Sequence, residues 1–268
     1  MPPKIPRVLS IAGSDPSGGA GAQADLKTFS AFGCYGMAAI TALTAQNTRG
    51  VTAAYPAAPD IVAAQIEAVL SDISPDATKI GMLATPDIAR AVAGTLSRHD
   101  ARKIVLDPVL VPTHGVSLAS AGLEPALVAS LLPLARLVTP NLYEASALTQ
   151  TPLAGNADQM AAQARRLCDA GARAVLVKGG DLAGEPVDVL LEGGERRIFR
   201  GRRIATRNTH GTGCALSAAI ACELAKGAPL IDAIATAKAW LEGALEAADA
   251  LRLGEGRGPP NHFYALWR

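Results

Sequence analysis

Asn208-Thr209-His210-Gly211-Thr212-Gly213-Cys214 is the stretch from which the fold can be read. It follows a short extended run, Arg203 to Thr206, and opens a helix of small residues, Cys214 to Lys226, that Gly227 closes. Two glycines let the backbone turn tightly and come close to a ligand. The first amides of a helix have no acceptor within it, and the helix dipole favours negative charge there. Such a place suits a phosphate, or the charge that develops on a phosphoryl group in transfer. Cys214 falls in the first turn, where a thiol ionises more readily. A Gly-rich turn ahead of a buried helix accounts for the same residues equally well. The stretch is not a dinucleotide fingerprint, because Leu216 stands where the third glycine of G-x-G-x-x-G belongs.

Upstream of it, strands and helices alternate. Strands are predicted over Arg7 to Ile11, Tyr35 to Ala45, Thr78 to Leu83, Ile104 to Asp107, Leu137 to Thr139 and Ala174 to Lys178. Helices are predicted over Ala22 to Phe32, Pro59 to Leu70, Pro125 to Leu132 and Asp158 to Ala170. Another runs from Thr85, a cap followed by proline in the first turn, to Arg98. Gln46 to Gly50 is expected to break the second strand, with Val51 to Tyr55 returning as its hairpin partner. Asp188 to Leu191 and Arg196 to Phe199 form a second hairpin, and Ile231 to Leu251 a last long helix. The alternation implies an α/β fold with a mostly parallel central sheet and helices on both faces.

The 268 residues, 49% of them hydrophobic, are read as a single domain over 1–268. Lys plus Arg number 25 against 24 Asp plus Glu, so no basic footprint argues for nucleic acid. No apolar run approaches a membrane span, and Met1-Pro2-Pro3-Lys4 lacks a signal-peptide core, so a cytoplasmic protein without a membrane partner is expected. Cys34, Cys168, Cys214 and Cys222 form no C-x-x-C pair and are read as reduced.

Several residues fall where strands end, which is where open α/β sheets place ligands. The loop after the first strand carries Gly13 and Gly18 at P-loop spacing, but Gly19-Ala20 replace the Lys-Ser/Thr that grips phosphate, so it is no Walker motif. Asp25 lies on the apolar face of the next helix with Ala22, Leu26 and Phe29, where a carboxylate needs donors or a ligand. Gln46 ends a strand and can contact a ligand or cap the turn. Asn141 and Glu144, three apart, can hold a hydrated Mg²⁺ beside phosphates, or simply cap a helix. Lys178, ahead of Gly179-Gly180, can meet a phosphate or stand in solvent.

Together these segments resemble the hydroxymethylpyrimidine kinases along nearly the whole chain. The resemblance is carried by Ala12 to Gly21 with Gln23 to Lys27, Thr41 to Thr48, and Lys79-Ile80-Gly81-Met82-Leu83. Pro140-Asn141-Leu142 with Glu144, Lys178-Gly179-Gly180 and His210 to Cys214 complete it in the same order. It implies a ribokinase-like kinase domain. The implied enzyme uses ATP and Mg²⁺ to phosphorylate 4-amino-5-hydroxymethyl-2-methylpyrimidine and then its monophosphate in thiamine biosynthesis, as a homodimer. By the resemblance, Gln46 takes the pyrimidine edge, with Asp25, Gly13 and Met82 around the ring. A carboxamide accepts from an amino group and donates to a ring nitrogen, which agrees. Gly211, Thr212, Gly213 and Cys214 supply the anion hole. Cys214 stands where sugar kinases of the superfamily carry a catalytic Asp, and its thiol is expected below its ordinary pKa, as a base. Lys178, Asn141 and Thr209 lie on the nucleotide side, and Glu144 with Asn141 organises the metal through water.

The chain departs from the family in the loop after Asp107-Pro108-Val109, where Thr113 is followed by His114-Gly115-Val116 and the family commonly shows Ser-Gly and then a polar or charged residue. That departure bears on the second phosphorylation. Tyr143 also varies within the Asn-Glu motif. Two rival functions share much of this pattern: a pyridoxal kinase, and a catalytically silent pyrimidine-binding domain.

Overall fold

A computed structural model of the chain describes residues 4–110 and 119–267. Its framework is one nine-stranded sheet in the order β3-β2-β1-β4-β5-β6-β7-β8-β9. The strands are β1 (Arg7–Ser14), β2 (Tyr35–Asn47), β3 (Gly50–Pro56), β4 (Ala77–Ile80), β5 (Ile104–Leu106), β6 (Leu137–Val138), β7 (Ala174–Val177), β8 (Val187–Glu192) and β9 (Glu195–Arg200). From β2 through β1, β4, β5 and β6 to β7 every pairing is parallel, while β3 at one edge and β8 and β9 at the other pair antiparallel.

The central strands are buried on both faces because their side chains alternate between two cores. In β7, Val175 and Val177 enter one core while Ala174 and Leu176 enter the other. The first core is closed by α2 (Pro59–Leu70), α3 (Pro86–Arg98), α4 (Leu123–Ser130), α5 (Leu142–Thr149) and α6 (Ala157–Asp169). The second is closed by α1 (Gly21–Ala31), α7 (Thr212–Ala225) and α8 (Leu230–Glu246). Alanines 215, 218, 219 and 221 are fully buried in α7, so its small residues are what let it seat between the sheet and its neighbouring helices.

The predicted helices over Pro59 to Leu70 and Pro86 to Arg98 have those bounds, the second capped by Thr85, whose side chain accepts from the Ile88 amide. Other ends shift by a few residues. The strand expected to break at Gln46 runs on through Asn47, because the hairpin register with β3 persists to Asn47 opposite Gly50. Arg203 to Thr206 pairs with no strand of the sheet, and α7 begins two residues earlier than expected, at Thr212. The long last helix ends at Glu246, followed by a short 3-10 turn over Ala248–Leu251. His114-Gly115-Val116 lies outside the described residues.

From β1 the chain passes first to β2 on one side and later to β4 on the other. The strand order therefore reverses at β1, which opens a crevice at the carboxyl ends of the strands.

Candidate active site

That crevice holds one cavity. Gly13 at the end of β1, Gln46 near the end of β2, Met82 after β4, Asn141 and Glu144 after β6, and Lys178 after β7 all line it. Thr209, Gly211, Thr212, Gly213 and Cys214 line it as well. Eleven of the residues singled out in the sequence are thus brought together. Asp25 is not among the lining residues.

The phosphate-type wall is the start of α7. Gly211 is its N-cap at φ 75°, and a Cβ there would come within 1.9 Å of the Gly19 carbonyl oxygen, so only glycine fits. The amides of Gly213 and Cys214 have no hydrogen-bond partner among the described residues. Lys178 is aimed at the same place: its Nζ lies 3.2 Å from where a Gly213 Cβ would be. Of the two readings left open for Lys178, the solvated one does not hold. Burial alone pulls its ammonium down, but Asp107 and Glu144 outweigh that and hold it above its ordinary value.

Asp107, at the carboxyl end of β5, also lines the cavity. Its Oδ1 accepts from Lys178 Nζ at 2.8 Å and from Thr139 Oγ1 at 3.2 Å, and its Oδ2 from Ser217 Oγ at 3.3 Å. Burial pushes the carboxyl up, yet Lys178 and Lys79 bring it below its usual range, so it is ionised at neutral pH. The position was visible in the sequence as an acid at a strand end, but it was not selected as a site residue.

Asn141 and Glu144 form a reciprocal capping box at the start of α5. Asn141 Oδ1 accepts from the Glu144 amide at 2.8 Å and Glu144 Oε2 from the Asn141 amide at 2.7 Å. The capping and cavity-lining readings therefore hold together. Burial pushes Glu144 up to about 7, opposed by Lys178 and aided by the charge on Asp107.

Two expectations are corrected. Asp25 does not face the cavity but is fully buried, with Oδ2 accepting from Lys79 Nζ at 2.9 Å and Ser10 Oγ at 2.6 Å. The donors its helix face demanded come from inside the sheet. The Cys214 thiol is not depressed. Although part of Cys214 is exposed, burial pushes the thiol up to about 11. Lys79 and a hydrogen bond from the Gly21 amide oppose this, but Asp25 and Asp107 add to the rise. Desolvation and two nearby carboxylates outweigh the helix end.

At the other end of the cavity, Gly13 is pressed against Met82, whose sulfur would lie 2.8 Å from any Cβ at that position. Asp15, unpredicted, accepts from the Ser17 and Ala20 amides at 2.8 Å and from His210 Nε2 at 2.9 Å. His210 Nε2 also lies 3.0 Å from the Gln46 amide. Arg257 lines the rim with no carboxylate partner among the described residues, whereas its neighbour Arg49 is paired with Glu255. Nothing in the local sequence around Arg257 marks it, since its segment is held at the cavity by long-range bonds: the Arg257 amide donates to Thr48 O at 2.7 Å and the Gly258 amide to Asn208 Oδ1 at 2.9 Å.

Residues 15–261 match the model of a family described as phosphomethylpyrimidine kinase. A hydroxymethylpyrimidine/phosphomethylpyrimidine kinase of Rhizobium meliloti is 53% identical, over 97% of this chain and 98% of that protein. A thiamine biosynthesis bifunctional protein of Geobacter sulfurreducens, ThiED, is 48% identical over 96% of this chain and 52% of its own length. Among solved structures, an ADP complex of Bacillus subtilis pyridoxal kinase superposes with a TM-score of 0.89 at 36% identity, covering 98% of this chain and 99% of that one.

Proposed function

The chain belongs to the phosphomethylpyrimidine kinase family, and on that footing we propose that it phosphorylates 4-amino-5-hydroxymethyl-2-methylpyrimidine with ATP, and then the monophosphate formed, in thiamine biosynthesis. The observation that carries this reading is that one cavity is lined both by bare helix-end amides and by a carboxamide, Gln46. The first can receive a phosphoryl group and the second can read an aminopyrimidine edge. The whole chain acts as one kinase domain of ribokinase-like fold.

In the first step the hydroxymethyl oxygen bonds to the γ-phosphorus as the bond from that phosphorus to the bridging oxygen breaks, releasing ADP. Charge on the three phosphoryl oxygens is met by the amides of Gly213 and Cys214 and by Lys178, with Thr209 and Asn141 on the nucleotide side. These groups are in place before the substrate arrives, and such electrostatic positioning supplies most of what phosphoryl transfer needs. The alcohol's proton leaves late in a loose transition state, so the neutral Cys214 thiol serves as a contact and not as a thiolate base.

The same cavity fits Mg²⁺. Asp107 and Glu144 offer hard carboxylate oxygens, with Asn141 beside them, and a cation that keeps several waters needs few protein ligands. When bound, the ion neutralises phosphate charge. Glu144 and Asn141, already engaged with each other, would hold it through water. In the second step the acceptor carries a phosphate of its own, for which the guanidinium of Arg257, without a carboxylate partner among the described residues, is suited.

We place the enzyme in the cytoplasm as a homodimer without nucleic-acid or membrane partners. A net charge of +1 and, among the described residues, no helix long and apolar enough to cross a membrane support this. Leu43 and Tyr55, paired across β2 and β3, are 60% and 68% exposed and suit a contact between subunits.

Replacing Gln46 by Ala tests the reading. Two complementary hydrogen bonds are lost, so pyrimidine binding weakens by about 1–3 kcal/mol while ATP binding holds. Equal weakening of both ligands would mean that Gln46 shapes the fold and not the substrate end of the cavity.

A further inference from the structure

The hydrogen bonds around His210 and Gln46 can be satisfied in one way. Asp15 is held ionised: burial pushes its carboxyl up, but hydrogen bonds from His210 and Ser17 bring it below the usual range. Its Oδ2 can only accept, so His210 Nε2, 2.9 Å away, carries the proton. That same N–H lies 3.0 Å from the end of the Gln46 amide that is placed as nitrogen, so the two ends need to be exchanged. An NH₂ group there would set donor against donor, so this end is the oxygen. The other end lies 3.2 Å from Thr44 Oγ1, whose own proton goes to the Ser14 carbonyl oxygen at 2.9 Å. Left with lone pairs, that hydroxyl accepts from the amide nitrogen. With oxygen toward His210 and nitrogen toward Thr44, no donor faces a donor, and the one Nε2 hydrogen is shared between Asp15 Oδ2 and the Gln46 oxygen.

The imidazole cannot easily give way. The His210 amide donates to Gly258 O at 3.0 Å, and its Cδ2 lies 2.6 Å from where a Cβ on Gly19 would be. One lone pair of the Gln46 oxygen and one N–H of its nitrogen remain for a ligand in the cavity that both residues line.

We propose that His210, anchored by Asp15, is a positioning residue that sets substrate choice by locking the Gln46 amide in one orientation. The inference deepens the kinase reading above and rests on it. A locked amide offers an acceptor and a donor in fixed order. An amino group beside a ring nitrogen meets that order, donating to the oxygen and accepting from the nitrogen. A pyridine ring bearing an aldehyde beside a phenolate offers two acceptors on that edge and leaves the Gln46 oxygen facing another acceptor. An amide free to turn would no longer tell the two edges apart.

The test replaces His210 by Phe, which keeps a flat ring but removes the N–H, and by Gln, which returns a donor. KM and kcat are measured for the pyrimidine alcohol and for pyridoxal. His210→Phe is expected to raise KM for the pyrimidine alcohol roughly 5- to 20-fold with a much smaller change in kcat, and to narrow its preference over pyridoxal by a similar factor. His210→Gln is expected to recover most of both. Unchanged preference, or a loss of kcat shared equally by both substrates, overturns the proposal. A neutron structure of the perdeuterated wild type decides the point without any variant. Deuterium on His210 Nε2 and the Gln46 ND₂ group toward Thr44 supports the lock, and the reverse amide overturns it. If the wild type phosphorylates neither ring, the kinase reading fails, and the neutron map still decides the arrangement of Gln46.

Discussion

Lys79 Nζ lies 2.9 Å from Asp25 Oδ2, and neither side chain is exposed to solvent. The pair joins β4's wall of the sheet to α1, directly behind the cavity. Burial alone pulls the Lys79 ammonium down, but the charges of Asp25 and Asp107 outweigh it and hold Lys79 charged. A buried pair contributes little net stability, but removing one partner strands the other. Lys79→Met should therefore cost about 3–5 kcal/mol in urea unfolding, and combining it with Asp25→Leu should recover a large part of that loss. A single Lys79→Met variant unfolding at the wild-type urea midpoint would show that the pair is not a buried ionic contact.

The same surroundings govern Cys214. A thiol pushed up to about 11 is almost wholly protonated at neutral pH. Alkylation of Cys214 by iodoacetamide should be slow at pH 7 and rise about tenfold per pH unit well beyond pH 9, since only the thiolate reacts. A rate that levels off below pH 8 would restore the thiolate base expected from the helix end.

Glu144 titrates near neutrality, with a pKa of about 7 against 4.5 in the unfolded chain. Between those values the folded state holds more protons than the unfolded one, so this group's contribution to stability falls as pH rises through the window. The Tm of the ligand-free protein should accordingly gain at pH 8 from Glu144→Gln, with no such gain at pH 4.5. Mg²⁺ competes with the proton, so it should bind the wild type more weakly at pH 6 than at pH 8. Mg²⁺ affinity that is flat across this range would separate Glu144 from the metal.

Much of this was legible in the sequence. The βα alternation, the Thr85-Pro86 helix start and the Gly211 turn are local signals, and local signals survive in the structure. The eleven lining residues are found because strand ends converge on one edge of a parallel sheet. What escaped depends on partners distant along the chain. Periodicity turns Asp25 inward, but it cannot reveal a lysine 54 residues away that meets it. The helix end beside Cys214 is visible, whereas the burial and the carboxylates of Asp25 and Asp107 that override it are not. Likewise the Asp15–His210 contact spans 195 residues, and Arg257 is brought to the cavity rim by bonds to residues distant along the chain, its amide to Thr48 O among them.

The family resemblance and the shape of the site leave one direct comparison, between a pyrimidine alcohol and pyridoxal. ADP release by the wild-type protein with Mg²⁺ and ATP should be followed with the pyrimidine alcohol, its monophosphate and pyridoxal as acceptors. The account predicts turnover of both pyrimidines. It also predicts a kcat/KM for the alcohol about 10²-fold or more above that for pyridoxal, because the Gln46 edge is left unpaired by the wrong ring. Faster turnover of pyridoxal than of the pyrimidine alcohol, or no ADP release with either pyrimidine, would contradict it.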